Sequence, residues 1–193
     1  NLIKSISIER KSFKFFKLIM GRFAAEVIIL MKKQQILNFL VPGLQNIKNI
    51  DVKFFNDLNY EKFIRTSYLL IISKFKLEKL RECLHLSKKE HLHIRKICEN
   101  FTLMKINSVA EARLAKYKLG HQVSVSIYYL KCFIEKKNIN KKIIYIFEKW
   151  RIVKFPVSGK DLQEIGLAKG TKMGTVLAEA RLWWENKDFK PNK

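Results

Sequence analysis

The chain of 193 residues contains little glycine, proline and cysteine. Seven Gly and three Pro are too few for a sandwich or barrel whose many strands are joined by tight turns. Three Cys make no disulfide framework, and the odd number is typical of a reducing compartment. Lys interrupts every apolar stretch, so no run approaches the roughly 18 residues of a membrane span. The opening residues also lack the apolar core of a secretory signal, and we therefore expect a cytoplasmic protein without a membrane partner.

Acidic residues are scarce as well. Asp and Glu number 17 against 39 Lys and Arg, which gives a net charge of +22 at pH 7. Such an excess attracts RNA, DNA or an anionic membrane surface. Lys outnumbers Arg 31 to 8, however, and this bias, with abundant Ile, Asn and Phe, is also typical of an AT-rich genome. The charge alone therefore leaves binding and codon bias open as explanations.

The sequence offers no recognisable catalytic or metal site. It has no Asp-x-Asp pair, no glycine-rich nucleophile elbow and no dinucleotide fingerprint. Nucleotidyl transfer needs convergent acidic ligands for Mg²⁺, and the sequence shows no such set. One cluster of Cys and His lacks the paired short spacings of a zinc site, so we interpret its members as ordinary surface or core residues. These members are Cys83, His85, His91, His93 and Cys98.

Apolar residues recur at spacings of three and four along nearly the whole chain, which predicts an all-α fold. Ser7 is an expected N-cap, and Ser87 and Ser158 are expected to form capping boxes with Glu90 and Asp161. The region 46–59, which contains several Asn and Asp, is interpreted as a linker. Helices are predicted over residues 8–21, 24–40, 61–75, 77–84, 88–101, 109–119, 122–136, 143–153, 159–165 and 171–184.

Four of the seven glycines lie between residues 159 and 174. Amide groups of a glycine-rich turn at a helix N-terminus point outward and favour an anion, and neighbouring lysines add positive charge. We therefore predict nucleic-acid phosphate contacts at Lys169, Gly170, Thr171 and Lys172. The alternative is a tight turn between two packed helices, in which glycine supplies only backbone freedom.

Two further groups are candidates for RNA binding. Arg113, Lys116 and Tyr117 share one helical face, for which a merely solvated surface is the alternative interpretation. Lys160 follows Gly159, but the pair lacks the upstream glycine and the following Ser or Thr of a phosphate loop. A nucleotide-binding loop is therefore excluded there, and Lys160 joins the basic residues of the C-terminal region as a candidate RNA contact.

Both ends of the chain resemble one family. The run from Phe155 to Leu162, the glycine-rich run from Gly166 to Gly174 and the pair Trp183 and Trp184 resemble the C-terminus of bacterial class II tRNA nucleotidyltransferases. These are the CCA-adding enzymes and their poly(A) polymerase relatives. Near the start, residues 6–10, 15–18 and 40–44 look like the neck of that family, and residues 86–90 and 117–120 look like its helical body.

The resemblance implies a helical neck over residues 1–58, an RNA-binding body over 59–150 and an RNA-binding helix–loop–helix tail over 151–193. Glu9 and Arg10 match a family motif that braces the neck. In the family, a separate head holds the catalytic motifs, none of which is found in this sequence. We therefore expect no catalytic residue and no cofactor in this chain, with Mg²⁺ and CTP or ATP bound only where a head is present.

Two positions depart from the family pattern. In the family motif matched by Glu9 and Arg10, a second Glu usually occupies the position of Lys14. A glycine usually ends the second neck helix at the position of Gln35. The resemblance implies tRNA or another structured RNA as the partner, with a separately encoded head as a second, hypothetical one. CCA addition and poly(A) addition remain alternatives, as does a non-catalytic or decaying RNA-binding fragment.

Overall fold

The structure, a computed structural model, describes residues 6–57 and 62–191. Over these residues the chain forms α-helices and two short 3-10 helices, Leu44–Asn46 and Leu77–Lys79, without any strand. The all-α prediction is therefore confirmed. The α-helices are α1 Ile8–Ile19, α2 Ala24–Lys33, α3 Leu37–Leu40, α4 Val52–Asp57, α5 Lys62–Ile72, α6 Leu80–Cys83, α7 Lys88–Leu103, α8 Val109–Leu119, α9 His121–Ile134, α10 Lys141–Lys149, α11 Gly159–Glu164 and α12 Thr171–Asn186.

Side-chain caps fix several helix starts. Ser7 caps α1, where its hydroxyl accepts from the amide of Arg10 over 3.4 Å. The predicted capping boxes at Ser87 and Ser158 are both present, and Ser108 forms a third at the start of α8. Each such cap satisfies amides that the helix itself cannot, which is worth about 1 kcal/mol. The local sequence was therefore sufficient to place these starts.

The predicted helix over residues 24–40 is wrong as one element, because the chain leaves the helix after α2. Gln35 adopts the left-handed conformation with a φ of 56°. The amide of Gln35 donates to Lys32 O over 3.0 Å and that of Ile36 donates to Met31 O over 2.8 Å. This pair of bonds is a Schellman motif, which usually places glycine at the left-handed position.

The irregular linker predicted over residues 46–59 is confirmed over residues 47–51 and wrong over residues 52–57, which form α4; residues 58 and 59 lie outside the described residues. Phe55 is completely buried, with its ring 5.7 Å from that of Tyr68. Asn56 Oδ1 accepts from the amide of Ala25 over 3.2 Å and so caps α2 from a distant part of the chain. The Asn that suggested a turn serves as a cap for another helix.

Two further predicted helices are shorter than expected. Residues 77–84 form a 3-10 turn followed by the four-residue α6 rather than one helix. The helix predicted over residues 143–153 begins earlier, at Lys141, and ends at Lys149. The carbonyl groups at this end of α10 accept hydrogen bonds from a side chain of α8, as described below. Glu61, the first residue of another predicted helix, lies outside the described residues.

The chain divides into two compact units, the first formed by described residues of Asn1–Met104 and Ser126–Asn138, the second by Lys105–Val125 and Ile139–Lys193. In the first unit α5 packs against α7 and α1. Its Arg65 is only 5% exposed and donates to Ile19 O over 2.7 Å. A buried guanidinium therefore satisfies a carbonyl group at the end of α1.

The second unit is built on α8, α10 and the pair α11 and α12. Its core is aromatic: Trp184 and Phe147 are 1% exposed and Phe189 is 2% exposed. The rings of Trp184 and Phe189 meet edge to face with centroids 5.0 Å apart. This core fixes the direction of α12 within the second unit and hence the position of the glycine-rich turn before it.

Candidate nucleic-acid interface

The tail turn, residues 165–171, connects α11 to α12 and carries most of the predicted phosphate contacts. Gly166 ends α11 with a φ of 90°, and Gly170 has a φ of 156°. A Cβ at either glycine would meet nothing within 4 Å. The glycines are therefore required by backbone conformation rather than by close packing, and the turn has open space around its backbone.

The N-terminus of α12 is the second element of this site. Gly170 is its N-cap and offers no side chain, whereas α11 begins with the Ser158 capping box. The first amides of a 16-residue helix carry partial positive charge and need an acceptor. Lys169, Thr171 and Lys172 are exposed around them. The structure thus brings together backbone donors, one hydroxyl and two ammonium groups, an arrangement that suits a phosphate.

Lys160 lies close to this group because α11 and α12 pack together near their starts. A Cβ on Gly159 would lie 3.5 Å from the sulfur of Met173, which is itself buried. Lys160 follows Gly159, Lys172 precedes Met173, and both lysines are exposed. Lys160 therefore extends the positive surface of the tail turn. RNA binding by these residues stays a prediction.

Lys116 occupies a different environment, since its side chain is buried in the second unit. It is 7% exposed, and its Nζ donates to Phe147 O over 2.5 Å and to Trp150 O over 2.6 Å. Burial lowers the pKa of Lys116 from its usual value. The ammonium group closes the end of α10, and its contacts are with the chain itself.

Arg113 and Tyr117, the other predicted contacts on α8, also have partners within the second unit. Both nitrogens of the Arg113 fork pair with the carboxylate of Asp188, with Nε 2.7 Å from Oδ1. The ring of Tyr117 packs 5.1 Å from that of Phe189 and 5.9 Å from that of Trp184. The three residues therefore join α8 to α10 and to the end of the chain, and their contact with RNA stays a prediction.

The burial of Lys116 could have been predicted from the sequence. Lys116 lies one residue after Ala115 and four after Ala112, which are both completely buried, and so on the apolar side of α8. The aromatic cluster around Trp184 was harder to find, because its members come from distant parts of the chain. Those members include Tyr117, Trp150, Phe155, Trp184 and Phe189.

The predicted neck motif lies on the first turn of α1. Both side chains are exposed, and Glu9 Oε1 lies 3.6 Å from Nδ1 of His85. Hydrogen bonds from the backbone and from Ser7 lower the pKa of Glu9. Its position in the first turn suits the helix dipole. A bracing role for Glu9 and Arg10 stays a prediction.

The described residues form neither a cluster of metal ligands nor a membrane-spanning helix. Over residues 6–57 and 62–191, no three His, Cys, Asp or Glu side chains come together in a group that could hold a metal ion. None of the helices in that part of the chain is long and apolar enough to cross a membrane.

The fold and the tail turn together define an all-helical, strongly basic protein with a candidate phosphate-binding turn. One stretch of 52 residues is 36% identical to CCA tRNA nucleotidyltransferase 1, mitochondrial, of Danio rerio. The stretch covers 27% of this chain and only 12% of that relative's length. No protein-family model matches the chain. The chain therefore carries a segment similar to a tRNA nucleotidyltransferase.

Proposed function

We propose that these 193 residues form the neck, body and tail of a CCA-adding tRNA nucleotidyltransferase and that they bind tRNA. The observation that carries this proposal is the exposed tail turn before the uncapped start of α12, where Lys169 and Lys172 flank the helix start and Lys160 is exposed on the adjoining α11. The similarity to a CCA tRNA nucleotidyltransferase supports tRNA as the RNA. The proposed parts are residues 1–58, 59–150 and 151–193.

Binding through this surface works by neutralising phosphates. Ammonium groups and helix amides contact the RNA backbone, and such contacts carry no direct sequence information. A-form RNA is held in this way through its shape and its phosphates. Each neutralised phosphate releases counterions, so affinity falls as salt rises. The chain is therefore expected to hold the tRNA while nucleotides are added elsewhere.

The chemistry of nucleotide addition is assigned to residues outside these 193. As the family resemblance implies, Mg²⁺ and CTP or ATP would bind there, in a catalytic head. A head on a separate chain would have to associate with this one. Purification of the tagged chain together with a head-containing protein would support that arrangement.

The test compares two triple variants with equal loss of charge. One carries Lys160→Gln, Lys169→Gln and Lys172→Gln in the tail, and its control carries Lys14→Gln, Lys17→Gln and Lys33→Gln on exposed positions of α1 and α2. Binding of a tRNA transcript is measured from about 50 to 200 mM salt. The tail variant should weaken binding more than tenfold and reduce the logarithmic salt slope by about 2 to 3. The control should lose much less.

Three results would contradict the proposal. Tight binding that salt does not weaken would exclude phosphate contacts as the source of affinity. Equal loss in the two triple variants would show that net charge matters and the tail turn does not. A transfer assay with tRNA lacking its 3′ end, CTP, ATP and Mg²⁺ should give no product with this chain alone, and addition of nucleotides would contradict the assignment of the chemistry.

A further inference from the structure

Two adjacent tryptophans of α12 have opposite environments. Trp184 is 1% exposed and forms the centre of the aromatic core, whereas Trp183 is 54% exposed. An indole ring is a large apolar surface that proteins usually bury at least in part. An exposed aromatic ring on a basic surface is also the usual platform on which nucleic-acid bases stack. About half of the Trp183 side chain is therefore available to a ligand.

The face of α12 that carries Trp183 has a lysine on each side of it. Lys172 lies eleven residues before Trp183 and Lys187 lies four after it, and both spacings return to the same side of a helix with 3.6 residues per turn. Both lysines are exposed. Along the helix axis they are about 16 Å and about 6 Å from the tryptophan. Lys172 also belongs to the proposed phosphate site of the tail turn.

Nearby acidic charge is largely neutralised within the second unit. Glu185 pairs with Lys118, whose Nζ lies 3.1 Å from its Oε2, and Asp188 pairs with Arg113. Glu179 is the exposed acidic residue one turn before Trp183 on the same face. The surface around the indole is therefore basic at both ends, with one carboxylate between Lys172 and the ring.

We propose that Trp183 stacks on an unpaired RNA base while Lys172 and Lys187 contact phosphates on either side of that base. The inference rests on the proposed function, because it uses the same end of α12. It adds a specific requirement: the RNA must present single-stranded nucleotides next to its duplex. Stacking accepts any base, since every base has a flat π surface, so the preference is for an unpaired strand rather than for a sequence.

The experiment compares two RNAs and three proteins. One RNA is a blunt duplex, and the other is the same duplex with a short unpaired 3′ extension. The proteins are the wild-type chain, Trp183→Ala and the control Leu182→Ala, which removes the neighbouring side chain of similar exposure (55%). Trp183→Ala should weaken binding of the extended RNA about tenfold and leave binding of the blunt duplex unchanged. Leu182→Ala should change neither.

Further readouts separate stacking from charge. Trp183→Ala should leave the salt slope unchanged, whereas Lys172→Gln and Lys187→Gln should each lower it by about 0.7 on the extended RNA. Glu179→Gln should tighten binding, because it removes the carboxylate between Lys172 and the ring. Circular dichroism spectra and melting temperatures of all variants should match the wild type, since every altered side chain is exposed.

Several outcomes would overturn the inference. If Trp183→Ala weakens both RNAs equally, or neither, the ring does not stack on an unpaired base. If the wild-type chain binds the two RNAs equally well, the inference fails while the proposed function stands, and if it binds neither RNA, both fail. Sedimentation with anionic phosphatidylglycerol vesicles that depends on Trp183, without any effect of Trp183 on RNA binding, would assign the ring to a membrane surface instead.

Discussion

The ammonium group of Lys116 donates to the carbonyl oxygen of Trp150 over 2.6 Å and in this way closes the C-terminal end of α10. The carbonyls in the last turn of a helix have no partner within it, and they carry partial negative charge. Arg65 plays the same part in the first unit, where it donates to Ile19 O at the end of α1. Each unit therefore contains a buried cation that stabilises a helix end, and some of the positive charge of the chain is structural.

Lys116→Met tests this structural role. Methionine keeps an apolar stem of similar length but removes the donor to Trp150 O and one of the contacts of Phe147 O, which His121 Nδ1 also approaches to 2.8 Å. The free energy of unfolding should therefore fall by about 2 kcal/mol. Urea denaturation followed by circular dichroism measures the change. Lys149→Met, at an exposed position of the same helix end, should stay within about 0.5 kcal/mol of the wild type. Equal effects in the two variants would contradict the structural assignment.

The helix starts and the fold class could be predicted from the sequence because their causes are local. Ser87 and Ser158 lie three residues before Glu90 and Asp161, and such spacing is sufficient to form a capping box. The break at Gln35 could not be found in this way. The residues around position 35 do not favour a left-handed conformation, and only the family resemblance, in which a glycine usually ends the helix at this position, pointed to the break that the structure shows.

The candidate site shows the same division. The tail turn was predictable, because glycine at positions 166 and 170 reflects a positive φ that other residues avoid. The internal contacts of Arg113 and Lys116 could not be predicted, because their partners, Asp188 and the end of α10, lie far away in sequence. Long-range pairing determines whether a lysine or arginine on a helix is available to a ligand, and a single sequence does not record that pairing.

Gln35→Gly is expected to stabilise the chain. Gln35 has a φ of 56°, a conformation that costs a residue with a Cβ about 1 to 2 kcal/mol and glycine almost nothing. The greater freedom of glycine in the unfolded chain offsets part of this gain, so the free energy of unfolding should rise by about 0.5 to 1 kcal/mol. Gln34→Gly is the matched control, because Gln34 has a φ of −84° and should lose stability instead. A decrease for both variants would exclude the left-handed assignment.

The free energy of unfolding should depend on pH through the ionisation of Glu90. Its carboxylate accepts hydrogen bonds from Lys62 and from the amide of Ser87, and these bonds lower the pKa of Glu90 to about 2. A lowered pKa in the folded state means that the contribution is fully present above the ordinary value of 4.5 and is lost as the pH falls toward 2.

To test this pH dependence, the free energy of unfolding of the wild type and of Glu90→Gln is measured from neutral pH down to about pH 2. The wild type should be more stable near neutral pH by about 1 kcal/mol, a figure reduced because the ion pair is partly exposed to solvent. The difference should vanish near pH 2. Glu99→Gln serves as a control, because Glu99 forms only an exposed pair with Arg95 on the same helix. A constant difference at all pH values would refute the linkage.

The adjacent pair Trp183 and Trp184 offers the sharpest test of the second unit. Trp184 is buried among aromatic rings, and its Nε1 donates to Pro191 O over 3.0 Å, so Trp184→Ala leaves a cavity and an unpaired carbonyl. The free energy of unfolding should fall by about 3 to 5 kcal/mol. Trp183→Ala, one position away on an exposed face, should stay within about 0.5 kcal/mol of the wild type. Because the two variants remove the same side chain from the same helix, a difference between them comes from the burial and the hydrogen bond of Trp184, and a reversed order would require α12 to be rotated about its axis.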